Sequence, residues 1–248
     1  WRSLKSTTRS DATSAAAGYR LANTQPFSGD YTIIEEFAEF QIPIIKDVFL
    51  AKQVTANLAA RHANYSTSGD AESWKAGMVW QLQSDLRLRA SRSRDIRAPN
   101  ISELFTAGTQ QNSNIDDTFP GGTGLTFQGV PRVTSGNPNL KPEVANSAVV
   151  GFVYQPSWLK GANFAVDFYT TKISDAIFLA GGQDAVRECS LNPASPLCSF
   201  VTRGPTSASP RAVIRTQISS VNLNSEFSRG VDFEASYRLP LNTWFANA

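Results

Sequence analysis

Apolar and polar residues alternate along this chain with a period of two, and that alternation limits what it can fold into. From Val231 to Leu239, Val231, Phe233, Ala235, Tyr237 and Leu239 fall on one side of an extended chain, with Asp232, Glu234, Ser236 and Arg238 on the other. Successive side chains on a strand point to opposite faces, so this segment has one apolar and one charged side. Trp74, Ala76, Met78, Trp80 and Leu82 oppose Lys75, Gly77, Val79 and Gln81 in the same way. Val54, Ala56, Leu58 and Ala60 oppose Gln53, Thr55, Asn57 and Arg61, and Ile34, Ala38, Phe40 and Ile42 oppose Glu35, Glu39 and Gln41. Leu86, Leu88 and Ala90 oppose Arg87, Arg89 and Ser91, while Phe164, Val166 and Phe168 oppose Asn163 and Asp167. Weaker patterns, rich in Ala, Val and Gly, cover 143–155 and 14–22. The spacing predicts about eight strands, and no segment sustains a helical period of about 3.6 residues.

The connections carry as much information as the strands. Tight turns are expected around Ile45 to Asp47, at Gln83-Ser84, and through the QPSWLKG segment after Tyr154. The other connections, 22–30, 66–70, 95–142 and 178–214, are expected to be looser. Antiparallel neighbours put alternate connections at opposite ends, so one end has short turns and the other long loops. Loops beyond about 15 residues are uncommon in compact soluble domains unless they serve a function. Short turns at one end and long loops at the other are what a membrane β-barrel shows.

A soluble antiparallel sandwich also alternates, so alternation alone does not decide. The polar positions here hold Gln, Thr, Asn, Ser and Arg, with acids and bases mostly on different strands. That suits a wet lumen in which Glu35, Glu39, Asp232 and Glu234 meet Arg61, Arg87 and Arg89. No apolar run approaches the roughly 18 residues a membrane helix needs, but barrel strands average out as polar and escape that test. The expected fold is all-β: an antiparallel transmembrane β-barrel segment of about eight strands.

Little in the composition points to bond-making chemistry. Lys+Arg 23 against Asp+Glu 21 leaves +2, so no nucleic-acid partner is implied. The single histidine, His62, and the two cysteines, Cys189 and Cys198, do not make a convincing zinc ligand set. No Gly-x-Ser-x-Gly nucleophile motif is present. GGTGLTFQG lacks the Lys-Ser/Thr of a phosphate loop and is expected to be a flexible loop. No catalytic, cofactor or metal site is expected, and the chain is not expected to be an enzyme. Cys189 and Cys198 close a short Pro-rich loop, which suits a disulfide made in an oxidising compartment; two buried thiols are the alternative.

SRSRDIRAPNISELF followed by SGNPNLKPEVANSAVVGF resembles the C-terminal barrel half of TonB-dependent outer-membrane receptors. The matching residues are Arg97-Ala98-Pro99, Glu103-Leu104-Phe105 and Gly136 to Glu143. Upstream, YTIIEEFAEFQIPII is similar to a family strand ending in an Ile-Pro turn. Downstream, FSRGVDFEASYRLPL is similar to a late family strand, and the two-Cys loop before it resembles a Cys-bearing outer loop. The four barrel matches fall in the family's order. Pro99, Pro138 and Pro142 lack a backbone donor and belong at strand ends, so these motifs are expected to shape the barrel rim.

The resemblance implies a partial receptor barrel over 1–248, since no plug domain, TonB-contacting segment or signal peptide is legible in it, and the terminal NTWFANA does not read as a closing strand. It implies energy-coupled uptake of a scarce solute: a siderophore–iron complex, cobalamin or an oligosaccharide. The implied partners are outer-membrane lipid, the TonB complex and the solute, and the implied location is the outer membrane of a Gram-negative bacterium. The alternative is a complete small outer-membrane barrel acting as an adhesin or structural anchor. In the two long loops, Phe105, Asp116, Asp117, Phe119, Phe127, Arg187 and Arg203 are the candidate solute contacts, with Glu188 and Phe200 beside them. Aromatic rings would stack on the solute and charged groups would orient it.

Overall fold

The computed structural model describes residues 1–19 and 22–239. In chain order it contains β1 (Arg2–Thr8), α1 (Ala12–Ala15), β2 (Ala22–Asn23), β3 (Phe27–Val48), β4 (Ala51–Tyr65), β5 (Gly69–Gln81) and β6 (Leu86–Arg97). Then come α2 (Ile101–Phe105), β7 (Thr109–Asp116), β8 (Thr126–Ser135), β9 (Glu143–Tyr154) and β10 (Ala162–Leu179). Last are α3 (Gly182–Leu191), a 3-10 turn at Pro196–Phe200, β11 (Val201–Gly204) and β12 (Ala212–Tyr237). β1, β3, β4, β5, β6, β9, β10 and β12 form one continuous antiparallel wall in that order. The wall is an open sheet rather than a closed cylinder.

The register sorts the alternating side chains onto two faces across the whole wall. Ile42, Ala56, Met78, Ala90, Val150, Phe168 and Val231 sit opposite one another in sequence along one row. Val54, Trp80, Leu88, Phe152, Val166 and Phe233 form a second. Among the described residues no second layer covers this apolar face: Phe40 is 62% exposed, Val150 60%, Phe168 50% and Phe233 70%. Burying one such side chain is worth about 1.5–3 kcal/mol, so a wall of them is stable only against an apolar surrounding. A soluble sandwich would bury that face, and the described residues leave it open. Within hydrocarbon the strand ladder itself satisfies the backbone N–H and C=O groups, as a spanning structure requires.

The opposite face is polar and internally paired. Arg89 makes a two-pronged contact with Asp167, and Arg61 pairs with Glu35. The pairing of Arg61 with Glu35 is among those expected. The partner of Arg89 is Asp167, because β9 lies between β6 and β10 and Gly151 leaves room for the two side chains to meet. A Cβ at Gly151 would overlap the Asp167 carboxylate and its backbone neighbour.

Several expectations need correction. Segment 14–22 is not a wall strand: Asp11 caps the short helix α1 by accepting from Ser14 N, and only Ala22–Asn23 is extended. Arg20 and Leu21 lie outside the described residues, as does the NTWFANA terminus. The eighth wall strand is β1, whose RSLKSTT sequence has no apolar face to announce it. Ile45 to Asp47 belong to β3, and the turn falls at Phe49–Leu50. Pro43 cannot donate to the ladder, and the register shifts between Pro43 and Ile45. The 66–68 connection is as tight as those at the other end, with Gly69 at φ 77°. The long loops also hold regular structure, in β7, β8, α3 and β11.

Candidate solute-binding loops

The two long loops fold onto each other instead of standing apart. β7 and β8 form a hairpin; β8 then pairs parallel to β12, and β11 pairs antiparallel to β12. Ile115, Val130, Val186 and Val213 make a small core between them, with Phe127 and Val201 packed against it. On α3, Gly182, Ala185, Val186 and Ser190 are buried, at the i, i+3, i+4 and i+8 spacing of one helix face. This period spans only ten residues between a Gly-Gly and an Asn-Pro, which is why alternation elsewhere masked it.

Asp117 is the centre of this cap. Its side chain is 0% exposed, and its two oxygens accept from Arg203 Nη1 at 2.7 Å and Nη2 at 2.9 Å. Thr123 donates from its backbone N at 2.9 Å and its Oγ1 at 2.8 Å, and Ser190 Oγ donates at 3.1 Å. Burial alone would raise the carboxyl's pKa, but the hydrogen bonds from Arg203 and Thr123 and the Arg203 charge outweigh it and hold it at about 2. The same pair raises the Arg203 guanidinium above its ordinary value. Gly121 and Gly122 belong to this arrangement: a side chain at Gly121 (φ 84°) would strike the Ser190 carbonyl, and one at Gly122 would strike Asp117. Gly121 and Gly122 therefore sit in a close-packed turn, while Gly124 and Gly129 have open space around them and the run ends inside β8.

The motif residues at the rim hold one another. Asn100 and Glu103 form a capping box on α2, each side chain bonded to the other's backbone N at 2.8 Å. Arg97 reaches Glu103 at 3.1 Å and Glu143 at 2.6 and 2.9 Å, and Glu143 also accepts from Ile177 N at 2.6 Å. Gly136 lies against the backbone of Leu104 so closely that a Cβ would overlap it. Asn137 Nδ2 donates to Ser220 O, and the Asn222 side chain bonds both backbone groups of Lys141 at 2.9 Å. These residues brace the rim and the base of the cap. Of these tie points, only Asn137 carries a sequence signal, in the Gly-Asn-Pro motif; no local pattern marks Gln183, Ser190 or Asn222.

The remaining candidates are distributed unevenly. Phe105 is half-buried over Gly29 of β3, where any side chain would overlap its ring. Phe127 packs on the cap core. The Gln183 side chain bonds both backbone groups of Asp116, at 2.9 and 2.7 Å, while the Asp116 carboxylate accepts from Thr118 N at 3.1 Å. Phe119 and Phe200 are half-buried, and Glu188 gives its carbonyl to Asn192 N. Arg187 projects from the exposed side of α3 with no partner among the described residues. Cys189 on α3 is bonded to Cys198 in the 3-10 turn, Cα–Cα 4.9 Å, so both lie in short helical pieces and not in an irregular loop. Among the described residues there is no His/Cys/Asp/Glu cluster suited to a metal ion, and no helix is long and apolar enough to cross a membrane.

An uncovered apolar wall with a folded cap at one end is an architecture shared with known proteins. The family described as TonB dependent receptor-like, beta-barrel matches the chain over residues 1–248. The chain belongs to the TonB-dependent receptor β-barrel family. Solved structures agree in fold. The siderophore receptor PirA from Acinetobacter baumannii superposes with a TM-score of 0.57 at 15% identity, covering 86% of this chain and 26% of that one. A variant of the ferric enterobactin receptor PfeA from Pseudomonas aeruginosa, solved in complex with enterobactin, gives 0.55 at 17% identity, with 86% and 25% covered. PirA from Pseudomonas aeruginosa gives 0.55 at 14%, with 83% and 31% covered. At these identities the likeness shows the fold alone, and the chain spans between a quarter and a third of each receptor. No curated protein matches it in sequence. TonB-dependent receptors are outer-membrane receptors and transporters rather than enzymes, and the small-barrel adhesin alternative is not favoured.

Proposed function

We propose that this chain forms the C-terminal part of the barrel of an outer-membrane transporter that takes up a scarce solute, with energy supplied through TonB. The family match over 1–248 carries this reading. The exposed apolar wall supports a lipid-facing role, and the polar face, with Arg89–Asp167 and Arg61–Glu35, supports a lumen. A ferric siderophore is the favoured solute because the superposable receptors are named for siderophores or ferric enterobactin; cobalamin and oligosaccharides are the other classes. In the cap, Asp117 and Arg203 satisfy each other and Phe127 fills the core, so they set the shape of the binding surface. Arg187, Asp116 and Phe119 are left to meet the solute, Arg187 orienting an anionic group.

The cap strands β8 and β11 pair with Ala212–Ser219 of β12, beyond the stretch of β12 that pairs with β10, so cap and wall can be tested apart. Deleting 108–130 from the full-length receptor removes β7, Asp117 and part of β8, and is expected to abolish high-affinity binding while the barrel still assembles. Binding is read with labelled ferric siderophore, cobalamin and oligosaccharide in parallel, and assembly by resistance of the barrel to denaturation in detergent. Unchanged binding with failed assembly would reverse the assignment and place selectivity outside this chain.

A further inference from the structure

The apolar face changes character toward its loop end, and it does so differently on the two halves of the wall. Starting from the turn end, β6 presents Leu86, Leu88 and Ala90 on this face, β9 presents Tyr154, Phe152 and Val150, and β10 presents Phe164, Val166 and Phe168. Beyond that band come Arg92 and Arg94 on β6, Lys172 on β10 and Arg229 on β12. From Leu86 to Ile96, Val144 to Tyr154, Phe164 to Ser174 and Phe227 to Tyr237, no position on this face is Asp or Glu. On β5, β4 and β3 the same two rows hold Ala76, Leu58 and Phe40, then Trp74, Ala60 and Ala38, with no charge; Glu72, His62 and Glu36 lie one row further toward the loop end.

The register brings the four cations together. Arg94 pairs with Asn146, Asn146 with Lys172 and Lys172 with Phe227, and Trp74 pairs with Arg94 at the other end of the row. One row nearer the turn end, Arg92, Ala148, Thr170 and Arg229 lie opposite one another in succession. Strands stand about 4.8 Å apart, so the Arg94 and Lys172 backbones, two strands apart, are separated by about 10 Å. All four side chains are exposed, and none has a hydrogen bond or ion pair with a described residue. On the opposite face, by contrast, Arg61, Arg89 and Arg97 each have a carboxylate.

We propose that Arg92, Arg94, Lys172 and Arg229 form a site on the lipid-facing wall for the phosphates of anionic lipid headgroups. The inference rests on the membrane-wall reading above. Unpaired cations beside hydrocarbon are costly unless an anion meets them. A phosphate-bearing lipid brings that anion to this depth because its acyl chains cover the adjoining apolar band. Arginine's planar fork matches phosphate oxygens two at a time, and Asn146 and Thr170 add neutral donors between the charges. Trp74 and Phe227 bracket the row, as aromatic residues do where a barrel meets the membrane interface.

The test uses full-length receptor in maltoside micelles doped with dioleoyl phosphatidic acid or with dioleoylglycerol, which lacks the phosphate, and counts retained lipid by native mass spectrometry. The receptor is expected to prefer the phosphatidic acid, and R92Q/R94Q/K172Q/R229Q is expected to lose at least about tenfold of that preference. R92K/R94K/R229K, which keeps the charge but loses the fork, retains only part of it, Lys75→Gln on the opposite face leaves it unchanged, and rising salt weakens it in the unmodified receptor. Equal retention of the two lipids, or the same preference in the Gln variant, would overturn the site. Displacement of the lipid by an equal concentration of inorganic phosphate would also overturn it, as would a dimer held through this face in place of lipid. Water-soluble probes reacting at the Phe168 and Val231 level in liposome-reconstituted receptor would remove the membrane-wall reading, and this site with it.

Discussion

Asp117 and Arg203, 86 residues apart in sequence, face each other with two hydrogen bonds at 2.7 and 2.9 Å, and the Asp117 side chain is entirely buried. One comes from the loop after β6 and the other from the loop after β10. The pair therefore joins two excursions of the chain that leave the wall at different places. Removing either partner strands a charge in a site built for two, which costs about 3–5 kcal/mol. Arg203→Ala and Asp117→Asn should each loosen the cap while the wall keeps its stability. Hydrogen exchange would show it as faster exchange at Ile115, Val130 and Val213, with β9 and β10 unchanged. Slowed or unaltered exchange in the cap would mean that the pair does not hold it.

The same carboxylate sets a pH dependence. Its folded pKa is about 2 against an ordinary value of 3.8, so the folded cap binds its proton less readily than the unfolded chain does. The stabilisation, on the order of 2 kcal/mol, is complete above about pH 4 and is lost as pH falls through about 2. Cap unfolding followed by Trp-independent probes such as hydrogen exchange should show this acid loss, and Asp117→Asn should flatten it. An unchanged acid profile in that variant would assign the loss to other carboxylates.

On the wall, Val166 lies between Phe152 and Phe233 on the apolar face, while Asn163 is on the polar face with its Oδ1 accepting from Gln155. Val166→Arg in the intact receptor is expected to cost about 2–4 kcal/mol near the bilayer midplane, and Asn163→Arg much less. A folding titration into lipid measures both. Equal costs would contradict the assignment of faces.

The Cys189–Cys198 bridge ties the end of α3 to the 3-10 turn, across a sequence separation of 9. A loop this short contributes about 2–3 kcal/mol through chain entropy, and that contribution belongs to the cap. Cys189→Ser/Cys198→Ser should lower cap stability by about that amount and leave barrel assembly intact. Mass spectrometry of unreduced peptides from cell-envelope material should find the two residues linked, and two free thiols there would show that the bridge does not form in the cell.

Period-two patterning was sufficient to locate β3, β4, β5, β6, β9, β10 and the lower half of β12, because a wall with lipid on one side must alternate strictly. β1 stayed hidden: an edge strand written Arg-Ser-Leu-Lys-Ser-Thr-Thr has no apolar row to declare. The cap was illegible for a different reason. Its core of Ile115, Val130, Val186 and Val213 draws single residues from four separate elements, so no local window contains enough of it to show a period.

Sequence by itself determined the two faces of the wall, which follow from local alternation, and the resemblance to the receptor family marked the motif residues Arg97, Glu103 and Glu143. Only the tertiary structure decided that Asp117 spends its charge on Arg203, that Arg89 meets Asp167, and that Arg92, Arg94, Lys172 and Arg229 share one patch. Those outcomes depend on register between strands far apart in sequence. A shift of one residue would send each of these side chains to the opposite face.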